Sequence, residues 1–181
     1  VDLGCWNNHL TSLDIGQNSS LFSLACWNNQ LTSLDISQNT DLSALNCENN
    51  QIPSIDVSQN TELTYLTCQN NQLTSLNVAN GNNLQMGAIQ TFNASNNPNL
   101  NCIEVDNLSW SNSNWTVFEG HIDTQHYFSE NCNETEIEEY LFSDKNLVKT
   151  TDILGRETNN NNGFQLHIYD DGSVKKKYLI K

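Results

Sequence analysis

Between residues 1 and 144 there is not one lysine or arginine, although that stretch holds 17 of the chain's 21 acidic residues. A body of that sign repels phosphate backbones and anionic lipid, which argues against nucleic acid as a partner. Proline occurs twice in 181 residues, and apolar residues make up only 36%. With a net charge of −14, such a composition signals disorder unless the apolar residues are strictly spaced. No run approaches the roughly 20 apolar residues a spanning helix needs. There is no G-x-S-x-G, H-E-x-x-H or phosphate loop, and His9, His121, His126 and His167 show no ligand or catalytic spacing. The expectation is a chain with no catalytic residue, no metal site and no cofactor.

What is present is a repeat. Four segments align without gaps at a spacing of 21, beginning at Leu3, Leu24, Leu45 and Leu66. Two residues on stand Cys5, Cys26, Cys47 and Cys68, followed by Asn8, Asn29, Asn50 and Asn71. Further columns are Leu10, Leu31, Ile52, Leu73; Leu13, Leu34, Ile55, Leu76; Ile15, Ile36, Val57, Val78; and Leu21, Leu42, Leu63, Leu84. Columns of this kind specify a solenoid, whose thin apolar core tolerates a polar overall composition. The L-x-C unit reads as a short strand with Leu and Cys on the inward face, stacked in a parallel sheet about 4.8 Å from the next coil. Each Asn of the column beginning at Asn8 then sits at the turn out of the strand, where its amide bonds free backbone groups. The run "LTSLDI" suits an extended or tight-helical (3-10) return on the convex side.

The pattern L-x-x-L-x-C-x-x-N-x-L-x-x-L-D-V-S-x-N resembles the cysteine-ladder leucine-rich repeats of internalin-type bacterial surface proteins, and secreted repeat proteins of Bacteroidetes. The resemblance covers residues 1–105 and implies a curved solenoid that adheres or binds a ligand through its concave face. Phe92, Ala94, Asn97, Leu100, Ile103 and Val105 restate the pattern as an irregular fifth coil, so "ANGNNLQMGAIQT" should bulge as a loop. Residues 106–132, with Trp110, Trp115, Phe118, Tyr127 and Phe128, are expected to cap the last coil. Cys102 and Cys132 flank that cap and should form a disulfide in an exported protein.

Alternatives attach to each conspicuous column. The four ladder cysteines are a metal or redox site, or a stack of buried thiols acting as small hydrophobes; the lack of any C-x-x-C pair favours the second. Trp6 and Trp27, continued by Glu48 and Gln69 and neighboured by Tyr65, form a ligand-stacking platform, or merely cover each other. Asp14, Asp35 and Asp56 are a calcium ladder, or turn residues bonding local N–H groups. The sequons at Asn18, Asn107 and Asn114 are taken as coincidental.

All seven basic residues lie in 145–181. Residues 133–146 read as an acidic linker and 147–181 as a small β-module. Within it, Gln165 to Tyr169 and Val174 to Ile180 flank an Asp170-Asp171-Gly172 turn. Asp152, Leu154, Gly155 and Arg156, then Tyr169, Gly172 and Lys175, Lys176 and Lys177, resemble the C-terminal sorting signal of the type IX secretion system. That resemblance implies export and outer-membrane secretion or attachment machinery as a partner; the usual upstream P-N-P strand is absent. A plain β-hairpin cap is the alternative. The chain is expected to be a piece of a longer secreted or outer-membrane surface protein with more repeats before Val1. It binds protein or glycan, serves as a spacer or assembly subunit stacking at its N-terminal edge, or is an appendage of an enzyme.

Overall fold

A computed structural model of the protein describes residues 1–86, 91–132, 147–151, 156–157, 163–169 and 174–179. The chain divides into two compact units, Val1–Thr135 and Glu136–Lys181.

The first unit is a parallel solenoid. Its strands are β1 (Asp2–Gly4), β2 (Ser23–Ala25), β3 (Ala44–Asn46), β4 (Ser54–Asp56), β5 (Tyr65–Thr67), β6 (Ser75–Asn77), β7 (Phe92–Asn93), β8 (Cys102–Glu104) and β9 (Tyr127–Ser129). One sheet has the order β1-β2-β3-β5-β7 and the other β4-β6-β8-β9. Leu3, Leu24, Leu45, Leu66 and Phe92 are successive partners in the first sheet. Ile55, Leu76, Ile103 and Phe128 are successive partners in the second. The return run is therefore extended, and from the third coil onward it is a sheet in its own right.

Alternation fixes which residues enter the space between the sheets. Leu24, Leu45, Leu66, Leu31, Ile52, Leu73, Ile36, Val57 and Val78 are all buried. Truncating such a leucine to alanine costs about 2–5 kcal/mol. Leu3, Cys5, Leu10 and Leu13 on the first coil are only partly covered.

Where the spacing of 21 lapses, the structure departs from the column reading. The stretch after Val78 does not simply bulge. Residues Asn83–Met86 form a 3-10 helix that buries Met86 and Asn83. Leu84, which residue counting places in a core column, is turned out and is 61% exposed. The tight helix brings Met86 inward instead, and the Trp115 indole N–H donates to the Met86 carbonyl at 3.1 Å. Residues 87–90 of that insertion lie outside the described residues.

The expected cap, 106–132, also keeps more of the period than its sequence shows. A helix, α1 (Leu108–Asn114), is capped by the Asn107 side chain, which accepts from Trp110 N. The chain then adds one more rung, because β9 pairs parallel with β8. Trp115 is buried and stacks on Phe92 with ring centroids 4.0 Å apart, while Trp110 meets it edge-on at 5.4 Å. Phe118 and Tyr127 do not shield the core: Phe118 is 99% exposed at a turn, and Tyr127 faces solvent from β9. Cys102 and Cys132 are disulfide-bonded, with Cα atoms 5.8 Å apart and a sequence separation of 30.

In the second unit, β10 (Leu147–Thr151), β11 (Gly163–Tyr169) and β12 (Val174–Leu179) form an antiparallel sheet in that order. The two expected strands thus pair, and the register shifts once between Leu147 and Lys149. The expected linker 133–146 and the expected Asp170-Asp171-Gly172 turn lie outside the described residues.

Candidate functional site

The abundance of asparagine resolves into three structural columns. Asn29 donates to the Cys26 and Cys5 carbonyls at 3.0 Å each, and its Oδ1 accepts from Leu10 N at 3.0 Å. Asn50, Asn71 and Asn97 repeat this pattern one coil at a time. The Asn8 side chain, on the first coil, is exposed and donates to the Cys5 and Trp6 carbonyls of its own turn.

A second ladder runs along the other corner and went unread in the sequence. Asn39 donates to the Ile15 and Asn18 carbonyls, Asn60 to those of Ile36 and Asn39, and Asn80 to those of Asn60 and Leu63. Its signal was the recurrence of Asn18, Asn39 and Asn60 at the repeat spacing, with Asn80 one place early because the insertion begins there. The third column, Asn7, Asn28, Asn49, Asn70 and Asn96, has φ between +53° and +56°. Asparagine adopts that left-handed turn more readily than other residues with a Cβ.

The ladder thiols are inward. Cys26, Cys47 and Cys68 are buried and Cys5 half-buried. Burial pushes the Cys26 and Cys68 thiols up to about 12, and Cys47 well above its usual range. They are protonated, apolar filler. Asp14, Asp35 and Asp56 each accept the backbone N–H two residues ahead, at 3.1, 2.9 and 2.9 Å. Asn77 does the same for Ala79 at 2.9 Å. This is the turn role, and among the described residues no group of three or more His, Cys, Asp or Glu side chains is placed to hold a metal.

With the inward columns and corners assigned to structure, two outward faces remain, and they differ. The second face varies less over the four regular coils: Thr11, Thr32, Pro53 and Thr74, then Ser12, Ser33, Ser54 and Ser75, then Asp14, Asp35, Asp56 and Asn77. On the first sheet the outward positions change from coil to coil, apart from Trp6 and Trp27. They read Asp2, Ser23, Ala44, Tyr65; Gly4, Ala25, Asn46, Thr67, Asn93; and Trp6, Trp27, Glu48, Gln69, Ser95. Backbone bonds prove that last column, since Asn7, Asn28, Asn49 and Asn70 N–H groups donate to the carbonyls of Trp27, Glu48, Gln69 and Ser95.

Trp6 and Trp27 stack, with ring centroids 5.9 Å apart and planes within 8°. They cover each other and still leave Trp6 47% exposed. Small residues beneath allow this: a Cβ on Gly4 would lie 2.0 Å from the Trp6 ring, and Ala25 is the matching position under Trp27. Beyond Trp27 the face turns polar, and the Gln69 amide donates to the Glu48 carboxylate. Tyr65 is half-buried on β5.

An open cleft of about 590 Å³ adjoins Ser95, lined also by Asn96, Pro98, Val117, Ile122 and Asp123. Its carboxylate is already engaged, taking the Asn96 and Asn97 N–H groups at 2.9 and 3.0 Å. Of the residues that resemble a sorting signal, Asp152, Leu154, Gly155 and Gly172 lie outside the described residues. Tyr169 ends β11, and Lys175, Lys176 and Lys177 lie on β12.

No family model matches the chain, and no curated protein does. Among solved structures, the functional domain of InlJ from Listeria monocytogenes, described as including a cysteine ladder, is similar at 34% identity with a TM-score of 0.44. The match covers 57% of this chain and 24% of that one, so the chain spans about a quarter of its length. By its own strand pairing and columns, the chain is a leucine-rich-repeat solenoid with a cysteine ladder.

Proposed function

We propose that this chain is an extracellular recognition or adhesion module, not an enzyme, and that it binds protein or glycan through the outer face of its first sheet. One observation carries the reading. Coils that are nearly identical in core and corners vary along the outward positions of the first sheet, where the Trp6–Trp27 pair is the one residue kept between successive coils. Packing demands repetition of the inward columns, whereas a surface that must match a non-repeating partner has to vary. Trp6, Trp27, Glu48, Gln69 and Tyr65 are the residues of that surface. Aromatic side chains supply contact area at little entropic cost, which suits a binding face. The disulfide supports an oxidising, extracellular location. Replacing Trp27 and Tyr65 together with alanine should remove ligand binding and leave the circular dichroism spectrum intact. Undiminished binding would move the site off this face.

The antiparallel module of β10, β11 and β12 is the proposed export and attachment element, read by outer-membrane secretion machinery. Deleting residues 147–181 should leave the protein inside the cell envelope; normal secretion would remove that role. A second reading is a spacer or assembly subunit of a larger surface protein, since solenoid coils stack on one another edge to edge. Light scattering decides it, because a strict monomer at high concentration contradicts self-assembly.

A further inference from the structure

We propose that the outer face of the first sheet takes an arginine side chain of a partner protein, stacked against Trp27 and held by Glu48. This rests on the reading of that face as the binding surface and names the ligand chemistry it fits.

Glu48 follows Trp27 in the outward column, its carbonyl accepting Asn28 N at 3.1 Å. The side chain is half-buried, and the carboxylate accepts from the neutral Gln69 amide. No lysine or arginine exists anywhere in residues 1–144, so the repeats contain no cation to answer this charge. Two buried acceptors beside it lack a hydrogen-bond partner, Gln69 Oε1 and Thr67 Oγ1. Thr67 is only 7% exposed and pairs with Asn46, two residues before Glu48. Leu66 and Cys68 point inward on either side of it, so alternation aims Thr67 at the outer face.

A carboxylate with unfilled acceptors beside an indole calls for a planar cation with several donors. A guanidinium has five N–H groups in one plane and lies flat on aromatic rings. An ammonium brings three donors and no plane. Sugar hydroxyls can donate, yet they leave the charge of Glu48 unanswered. The acidic solenoid as a whole adds long-range attraction for a basic partner.

The test is a tryptophan-fluorescence titration of the full chain with hexa-arginine, hexa-lysine and a neutral oligosaccharide, chitohexaose. Hexa-arginine should quench the indole emission and bind about fivefold tighter than hexa-lysine. Glu48→Gln should weaken it about fivefold or more, whereas Glu62→Gln, the same charge change on an exposed corner, should alter it less than about twofold. Trp27→Leu should remove most of the quenching. Equal weakening by both glutamine variants would show diffuse charge attraction and overturn the proposal, as would parity between the two peptides. Chitohexaose binding through Trp27 without hexa-arginine binding would sink the arginine assignment and leave the face reading standing. If Trp27→Leu with Tyr65→Ala changes no titration, both fall.

Discussion

The side-chain amide of Asn50 donates to the carbonyl of Cys26, 24 residues earlier, at 3.0 Å. The same nitrogen reaches the Cys47 carbonyl in its own coil at 3.1 Å, and its Oδ1 accepts Leu31 N at 3.0 Å. One buried side chain therefore closes backbone groups of two successive coils that no strand partner can serve. Asn50→Ala leaves those groups unpaired in the core, and urea unfolding should show a loss of roughly 3–5 kcal/mol. Asn8→Ala, at an exposed position of the first coil, should cost under about 1 kcal/mol. Equal losses at the two positions would contradict the ladder.

The cysteine ladder carries a pH dependence. Its buried thiols have folded-state values raised above the ordinary 9.0, to about 12 for Cys26 and Cys68. In the window between 9 and 12 the unfolded chain releases protons that the folded chain keeps. The ladder's contribution is thus fully present below pH 9 and is lost as pH rises towards 12. Melting temperatures from pH 8 to 11 should fall more steeply for the native chain than for a variant with Cys26, Cys47 and Cys68 changed to Ala. Identical slopes would mean the thiols titrate freely.

Gly4 exists to seat an indole. Gly4→Ala places a methyl where the Trp6 ring now stands, and since that ring is a side-chain end it can swing away. Stability should change by less than about 1 kcal/mol, while the near-ultraviolet dichroism of the Trp6–Trp27 pair collapses. An unchanged spectrum would show that the two rings do not stack in solution.

Cutting the disulfide should loosen the last rung first. Closing the loop between Cys102 and Cys132, 30 residues apart, is worth about 3.5 kcal/mol on the chain-entropy account. Reduction should lower stability by that order and expose β9 amides to hydrogen exchange before those of β2 or β3. Uniform loss of protection along the solenoid would show instead that all rungs melt together.

Much of this was legible in the sequence wherever counting by 21 holds. The register of Leu3 with Leu24, Leu45 and Leu66, the inward cysteines and the Asn29-type ladder all follow from position in the repeat. Legibility fails where the period does. Leu84 counts as core and is exposed, because the insertion after Val78 converts one corner into a 3-10 turn and hands the inward place to Met86. Residues 106–132 show no repeat, since α1 lengthens the corner after β8, yet Ala94 N–H still donates to the His121 carbonyl at 2.8 Å and Phe128 takes its place against Ile103. The Asn39 ladder was visible in composition and hidden in role: nothing in one sequence says which of several asparagine columns points inward. The site has the opposite problem. Apart from the Trp6–Trp27 pair its residues do not repeat, so no periodic argument names their ligand.

The central claim is that coils stack in register, one repeat per rung. Spin labels on paired cysteines test it most directly, in a Cys5→Ala background where the remaining ladder thiols are buried. Ser54 and Ser75 are direct partners in the second sheet, so labels at Ser54→Cys and Ser75→Cys sit on backbones about 4.8 Å apart. Labels at Ser12→Cys and Ser75→Cys span three rungs, about 14 Å at that spacing. Stacked coils give strong spin–spin broadening for the first pair and much weaker broadening for the second. Spectra of the Ser54/Ser75 pair that merely sum the two single-label spectra would contradict stacking in register.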